Sequence, residues 1–126
     1  MAGPVTSRAA WLGDRPWVPL LVVLAHVVVL TQYGWFRDEF YYLACAAHLD
    51  YGYVDHPSLS ILPLWLVRQT VGDSLVAIRL IAAVTMGVAV WLIGTLTAAL
   101  GGGRFARTLA MTCAAVAPVY LSYGSY

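Results

Sequence analysis

Residues 75–100 read LVAIRLIAAVTMGVAVWLIGTLTAAL, an apolar run broken by one charge, Arg79. As a helix it would be about 39 Å long at about 1.5 Å per residue, more than a hydrocarbon core requires. Its ends are marked. Gly72-Asp73-Ser74 before it breaks the chain and offers a helix N-cap, and Gly101-Gly102-Gly103-Arg104 after it is a turn. A helix so apolar on every side needs either a large protein core or lipid. With 126 residues, 61% hydrophobic, a mean hydropathy of +0.77 and no lysine, the chain is too small to bury it in a globule. Lipid is the expected solvent.

Two further apolar runs flank this one. Residues 17–35, WVPLLVVLAHVVVLTQYGW, carry no charge and predict a spanning helix of about 28 Å, with Pro19 in its first turn and aromatics at both ends. The run is too long for a signal core, and no small-x-small cleavage site follows it. His26, within it, is expected to be satisfied against a neighbouring helix. Residues 105–123 predict the third span, its alanines suited to close packing. Residues 58–71 are apolar but interrupted by Pro63 and Arg68, so they are expected to lie in the interface. The fold class is therefore an all-α membrane protein with three transmembrane helices (17–35, 75–100, 105–123) and a helical first loop over 36–73.

Arginine placement orients it. Arg8 and Arg15 precede the first span, and Arg104 and Arg107 sit between the second and third. Those ends belong to the cytoplasmic side, with segment 1–16, and the 36–73 loop faces outward. A net charge of +1 offers nothing to nucleic acid. Cys45 lies in the loop and Cys113 in a span, so two free thiols are expected.

The loop is where the chemistry concentrates. Residues 35–58, WFRDEFYYLACAAHLDYGYVDHPS, hold four of the six acids, two of the three histidines and Tyr41, Tyr42, Tyr51 and Tyr53. Residues 38–50 predict a helix along the membrane, with Phe40, Leu43, Ala44 and Ala47 on its lipid- or bundle-facing side. Capping would account for Asp38 at its start, but for one acid and not for Asp38 and Glu39 together. Carboxylates are costly at a lipid boundary, which points to work for them. Asp55-His56-Pro57 reads equally as a cap on the next helix or as a pair that holds a cation or meets a phosphate. Only two candidate ligands lie there, so a complete metal site would need residues from outside the chain.

The order Arg37-Asp38-Glu39, Tyr42, Gly52-Tyr53, Asp55-His56-Pro57, then Gly72-Asp73-Ser74-Leu75 and Arg79-Leu80 resembles the N-terminal part of GT-C membrane glycosyltransferases. The similarity is to the group of dolichyl-phosphate-mannose protein mannosyltransferases and lipid A aminoarabinose transferases, and it covers about residues 17–126. It implies transfer of a sugar from a polyprenyl-phosphate donor to a hydroxyl of an acceptor lipid, glycan or protein, at the outer face of the plasma (inner) membrane. It implies Asp38 and Glu39 as catalytic carboxylates. Tyr42, Tyr53, His56 and Arg79 become substrate contacts, and Asp55 and His56 the place for a divalent metal ion. A Pro-Pro common in that group is Pro57-Ser58 here. The group has many more helices, so on this resemblance the chain reads as a truncated N-terminal fragment, inactive alone. The alternative is a small non-enzymatic three-helix membrane subunit or scaffold. A transporter is disfavoured because the runs 75–100 and 105–123 contain no acid.

Overall fold

The structure is a computed structural model that describes residues 16–32 and 34–119. These residues form five helices in chain order: α1 (Trp17–Val29), α2 (Arg37–Ala47), α3 (Ser58–Val71), α4 (Leu75–Ala99) and α5 (Arg104–Val116). No strand occurs among them, only an isolated bridge between Gly52 and Pro57. The helical fold class therefore holds.

Among the described residues one helix, α4, is long and apolar enough to cross a membrane. Its boundaries match the expected 75–100. The other two apolar runs differ. The first helix stops at Val29, giving 13 residues and roughly 20 Å, where residues 17–35 were expected. The cause lies in α4. Arg79 donates to the carbonyl oxygens of Leu30, at 2.5 Å, and Gly34, at 2.7 Å. Residues 30–32 turn and residues 34–36 have no regular structure, and both oxygens meet one guanidinium. The last run is helical over Arg104–Val116, and the part of it from 120 to 123 lies outside the described residues, as does segment 1–15.

α4 is the element on which the rest is assembled. Its first half meets α2 and α3 in a core of Cys45, Ala46, Ile61, Leu64 and Ile78. Its second half meets α1 and α5 in a core of Val18, Val22, Val90 and Met111. Two glycines permit this closeness. A Cβ on Gly87 would strike Val23 of α1, and one on Gly94 would come within 2.6 Å of the Met111 sulfur of α5. The opposite side of α4 shows Val76, Leu80, Val84, Val88, Leu92 and Leu96, each exposed and four residues apart. That spacing is one continuous apolar stripe along the helix.

α3 continues through Pro63 and ends at Gly72. Asp73 does not cap α4. It takes both Arg68 Nε, at 2.5 Å, and an Arg68 terminal nitrogen, at 3.2 Å, while Arg68 also donates to the Leu43 carbonyl oxygen. Arg68 thereby ties α3 to α2.

Candidate active site

The site begins at the first turn of α2, where two adjacent acids part company. Glu39 points inward. Its carboxylate receives Arg79 Nε at 2.6 Å and an Arg79 terminal nitrogen at 3.1 Å, and their side chains are 2% and 0% exposed. The same carboxylate accepts the Phe36 N–H at 2.7 Å, which closes the start of α2. Capping, considered above for Asp38, is thus done by Glu39. Burying a pair of ions is tolerable only when their remaining hydrogen-bonding capacity is filled. Here the backbone carbonyls of Leu30 and Gly34 take up Arg79's other donors.

Asp38, one residue earlier, lies about 100° around the helix. Its side chain is 51% exposed, with Arg37 Nε at 3.4 Å. Glu39, Cys45 and Ala46 are buried and Tyr42 and Leu43 half-buried. Of the residues expected on a lipid- or bundle-facing side, Leu43 packs against the bundle, while Phe40, Ala44 and Ala47 are exposed. The ion pair and the apolar side chains of Leu43, Cys45 and Ala46 together fix which side of α2 faces the bundle.

Tyr41 and Tyr42 follow Asp38 by three and four residues and so share its side of the helix. Both pack against the His56 ring, with centroids 4.8 Å away for Tyr42 and 5.8 Å for Tyr41. This brings His56, from the loop after α2, against the tyrosines on the side of α2 that carries Asp38. Tyr41 was not among the residues singled out above. Its spacing from Asp38 was the available signal. A hydrogen bond with Cys45, then burial, then the nearby charges of Cys45 and Asp55, raise its phenol above the ordinary value of 10.0.

Tyr53, expected as a substrate contact, is engaged elsewhere. Its hydroxyl lies 3.0 Å from the carbonyl oxygens of both Cys45 and His48 and accepts the Asp50 N–H at 3.1 Å. It closes the end of α2. Arg79, likewise expected to meet substrate, is sealed inside with Glu39. Asp55 is exposed and does not cap α3, whose first residues have Pro57 at the N-cap position and no side-chain cap. Asp55 and His56 are adjacent in sequence, and among the described residues no group of three or more His, Cys, Asp or Glu is placed to hold an ion. Cys45 and Cys113 are free, the first buried and the second exposed.

Beside Glu39 and Tyr42 a groove of about 340 Å³ opens between α2, α3 and α4, lined further by Leu64, Ile78, Ile81 and Met86. The site is thus a carboxylate, Asp38, with two tyrosines and a histidine, and Tyr42 is the member of this set that also lines the apolar groove. No protein-family model, no curated protein and no solved structure matches this chain.

Proposed function

We propose that this chain supplies the acceptor-activating part of a membrane glycosyltransferase, with Asp38 as general base. The observation that carries the reading is the division between the two acids. Glu39 is buried and consumed by Arg79, while Asp38, held by the same turn of helix, is open to a substrate. A carboxylate within reach of an acceptor hydroxyl takes its proton as the oxygen attacks the anomeric carbon. The bond to the donor's phosphate then breaks, and the phosphate leaves with the electron pair. Tyr41, Tyr42 and His56 form a cluster of mutually tilted rings on the side of α2 that carries Asp38, and such rings offer a sugar both apolar faces and polar tips. The apolar groove would take the first units of a polyprenyl carrier. Glu39 and Arg79 act here as positioning residues.

The reading includes a membrane placement. In it the apolar runs 17–35, 75–100 and 105–123, which carry α1, α4 and α5, cross the bilayer together, with α2 and α3 in its outer interface. The apolar stripe of α4 supports it, as do exposed Leu20, Leu21, Leu24 and Val28 on α1, a surface unsuited to water. No step is routed through a metal.

The test is Asp38→Asn in the full-length enzyme, assayed for transfer from a polyprenyl-phosphate sugar to a hydroxyl acceptor. Transfer should fall about a hundredfold or more, with insertion and donor binding retained. Parent-level transfer would remove Asp38 from catalysis. Absence of transfer in the parent enzyme would favour the non-enzymatic subunit.

A further inference from the structure

His56 reaches the rings of α2 from a loop that has to be held in place. Between the end of α2 at Ala47 and the start of α3 at Ser58, Gly52 and Pro57 face each other in one antiparallel bridge. The Tyr53 N–H donates to the His56 carbonyl oxygen at 3.1 Å, and the Ser58 hydroxyl donates to the Tyr51 carbonyl oxygen at 2.5 Å. These bonds make a short hairpin with Val54 and Asp55 at its tip. Both tip residues are exposed, Val54 at 96%, so the tip supplies no anchor. A lone hairpin of two strands is marginally stable at best, so its stem must be fastened to something else.

The fastening is Tyr53. Its ring packs against the core of Cys45, Ala46, Ile61, Leu64 and Ile78. Its hydroxyl stands 3.0 Å from the carbonyl oxygens of Cys45 and His48 and accepts the Asp50 N–H at 3.1 Å. A helix end leaves carbonyls of this kind without partners, so one hydroxyl both satisfies the end of α2 and ties the hairpin to it. The backbone of the same residue holds His56. From His56 the ring turns back onto α2, 4.8 Å from Tyr42 and 5.8 Å from Tyr41. The hairpin is therefore joined to α2 at two places, the Tyr53 hydroxyl and the His56 ring.

We propose that Tyr53 is a positioning residue for the candidate site: its hydroxyl fixes the hairpin on α2 and so holds the His56 ring against Tyr42, where the donor sugar is received. That the ring receives sugar rests on the function proposed above, whereas its placement by Tyr53 does not.

The test is Tyr53→Phe, which keeps the aromatic ring in the core and removes the hydroxyl. In the full chain in detergent micelles, the His56 ring protons are read by NMR at fixed pH and assigned by their absence in His56→Gln. In the parent they should be displaced by the ring currents of Tyr42 and Tyr41 and show cross-relaxation to Tyr42. Tyr53→Phe should reduce both, with helix content by circular dichroism unchanged. Ser58→Ala, which loosens the other strand of the hairpin without touching the core, should move the His56 resonances in the same direction. It reports on the hairpin even where Tyr53→Phe disturbs folding. In the transfer assay, Tyr53→Phe should raise KM for the polyprenyl-phosphate sugar about twofold to tenfold, the scale of one net hydrogen bond, with kcat retained because Asp38 is untouched. His56 resonances that stay at their parent positions in Tyr53→Phe and Ser58→Ala would overturn the placement. Moved resonances with a parent KM, or a fall in kcat at constant KM, would overturn the positioning role in sugar binding. Moved resonances in a chain whose parent transfers no sugar would keep Tyr53 as the anchor of His56 and remove the sugar, so the two failures are told apart.

Discussion

Replacing Glu39 with glutamine preserves its size and an oxygen for the Phe36 N–H. It leaves Arg79 as an uncompensated charge with no water beside it. Breaking one partner of a buried pair costs about 3–5 kcal/mol, so Glu39→Gln should destabilise the chain on that scale in reversible unfolding from detergent. Asp38→Asn, at a half-exposed carboxylate, should leave the same transition where it was. Arg79→Lys should fare nearly as badly as Glu39→Gln, since one ammonium cannot serve both carboxylate oxygens and the carbonyls of Leu30 and Gly34. Unfolding profiles of Glu39→Gln and parent that coincide would refute the structural role. Tyr41 yields a second test at this scale. Its raised value means that the folded chain holds the phenolic proton more tightly than the unfolded one. Its contribution to stability is therefore full below pH 10 and lost as pH rises through the raised value. Absorbance titration of the parent against Tyr41→Phe isolates this phenol. Because Cys45 is the leading cause, Cys45→Ala should move it back toward 10.

At the scale of helices, the two close approaches along α4 should respond unequally to the same change. Alanine at Gly87 meets Val23, a β-branched side chain with little rotamer freedom in a helix, and the Pro19 carbonyl oxygen at 3.3 Å. Neither can yield, so Gly87→Ala should cost about 1–3 kcal/mol. Alanine at Gly94 meets Met111, whose thioether can swing aside. There the better helix propensity of alanine, about 1 kcal/mol, should offset most of the strain. Unfolding midpoints of the two variants decide this, and equal losses would contradict the contact geometry. The helices differ in how far they could be read beforehand. α4 was legible because a long apolar stretch, broken by the single charge of Arg79, lies between two clusters of breakers. α1 was read too long, since nothing local in TQYG announces that Arg79, far down the chain, will claim the carbonyls of Leu30 and Gly34. In α2, Asp38 and Glu39 are alike as letters, and only a contact made across 40 residues separates their roles. Asp38, Tyr42 and His56 could be named from their types and spacing. The partners of Tyr53 and Arg79 were not legible, because a hydroxyl or guanidinium shows no sign in sequence of which backbone carbonyls it will meet.

For the whole molecule, the Glu39–Arg79 bond has a consequence in time as well as in space. The ribosome delivers residues at about 5–20 per second, so Glu39 waits roughly 2–8 s for a partner 40 positions later. During that interval α2 lacks its anchor, and Ile78, which belongs to the same buried core as Cys45, has not yet been made. Nascent chains should therefore pass through a state in which Cys45 is open to thiol reagents, closing when the start of α4 arrives. A chain ending at Gly72 should label readily at Cys45. The complete chain carrying Cys113→Ser, in which Cys45 is the remaining thiol, should label slowly under the same conditions. Equal labelling would mean that the outer loop closes without its arginine. A slow complete chain that becomes fast with Arg79→Ala would identify this side chain as the latch that ends the loop's exposure during synthesis.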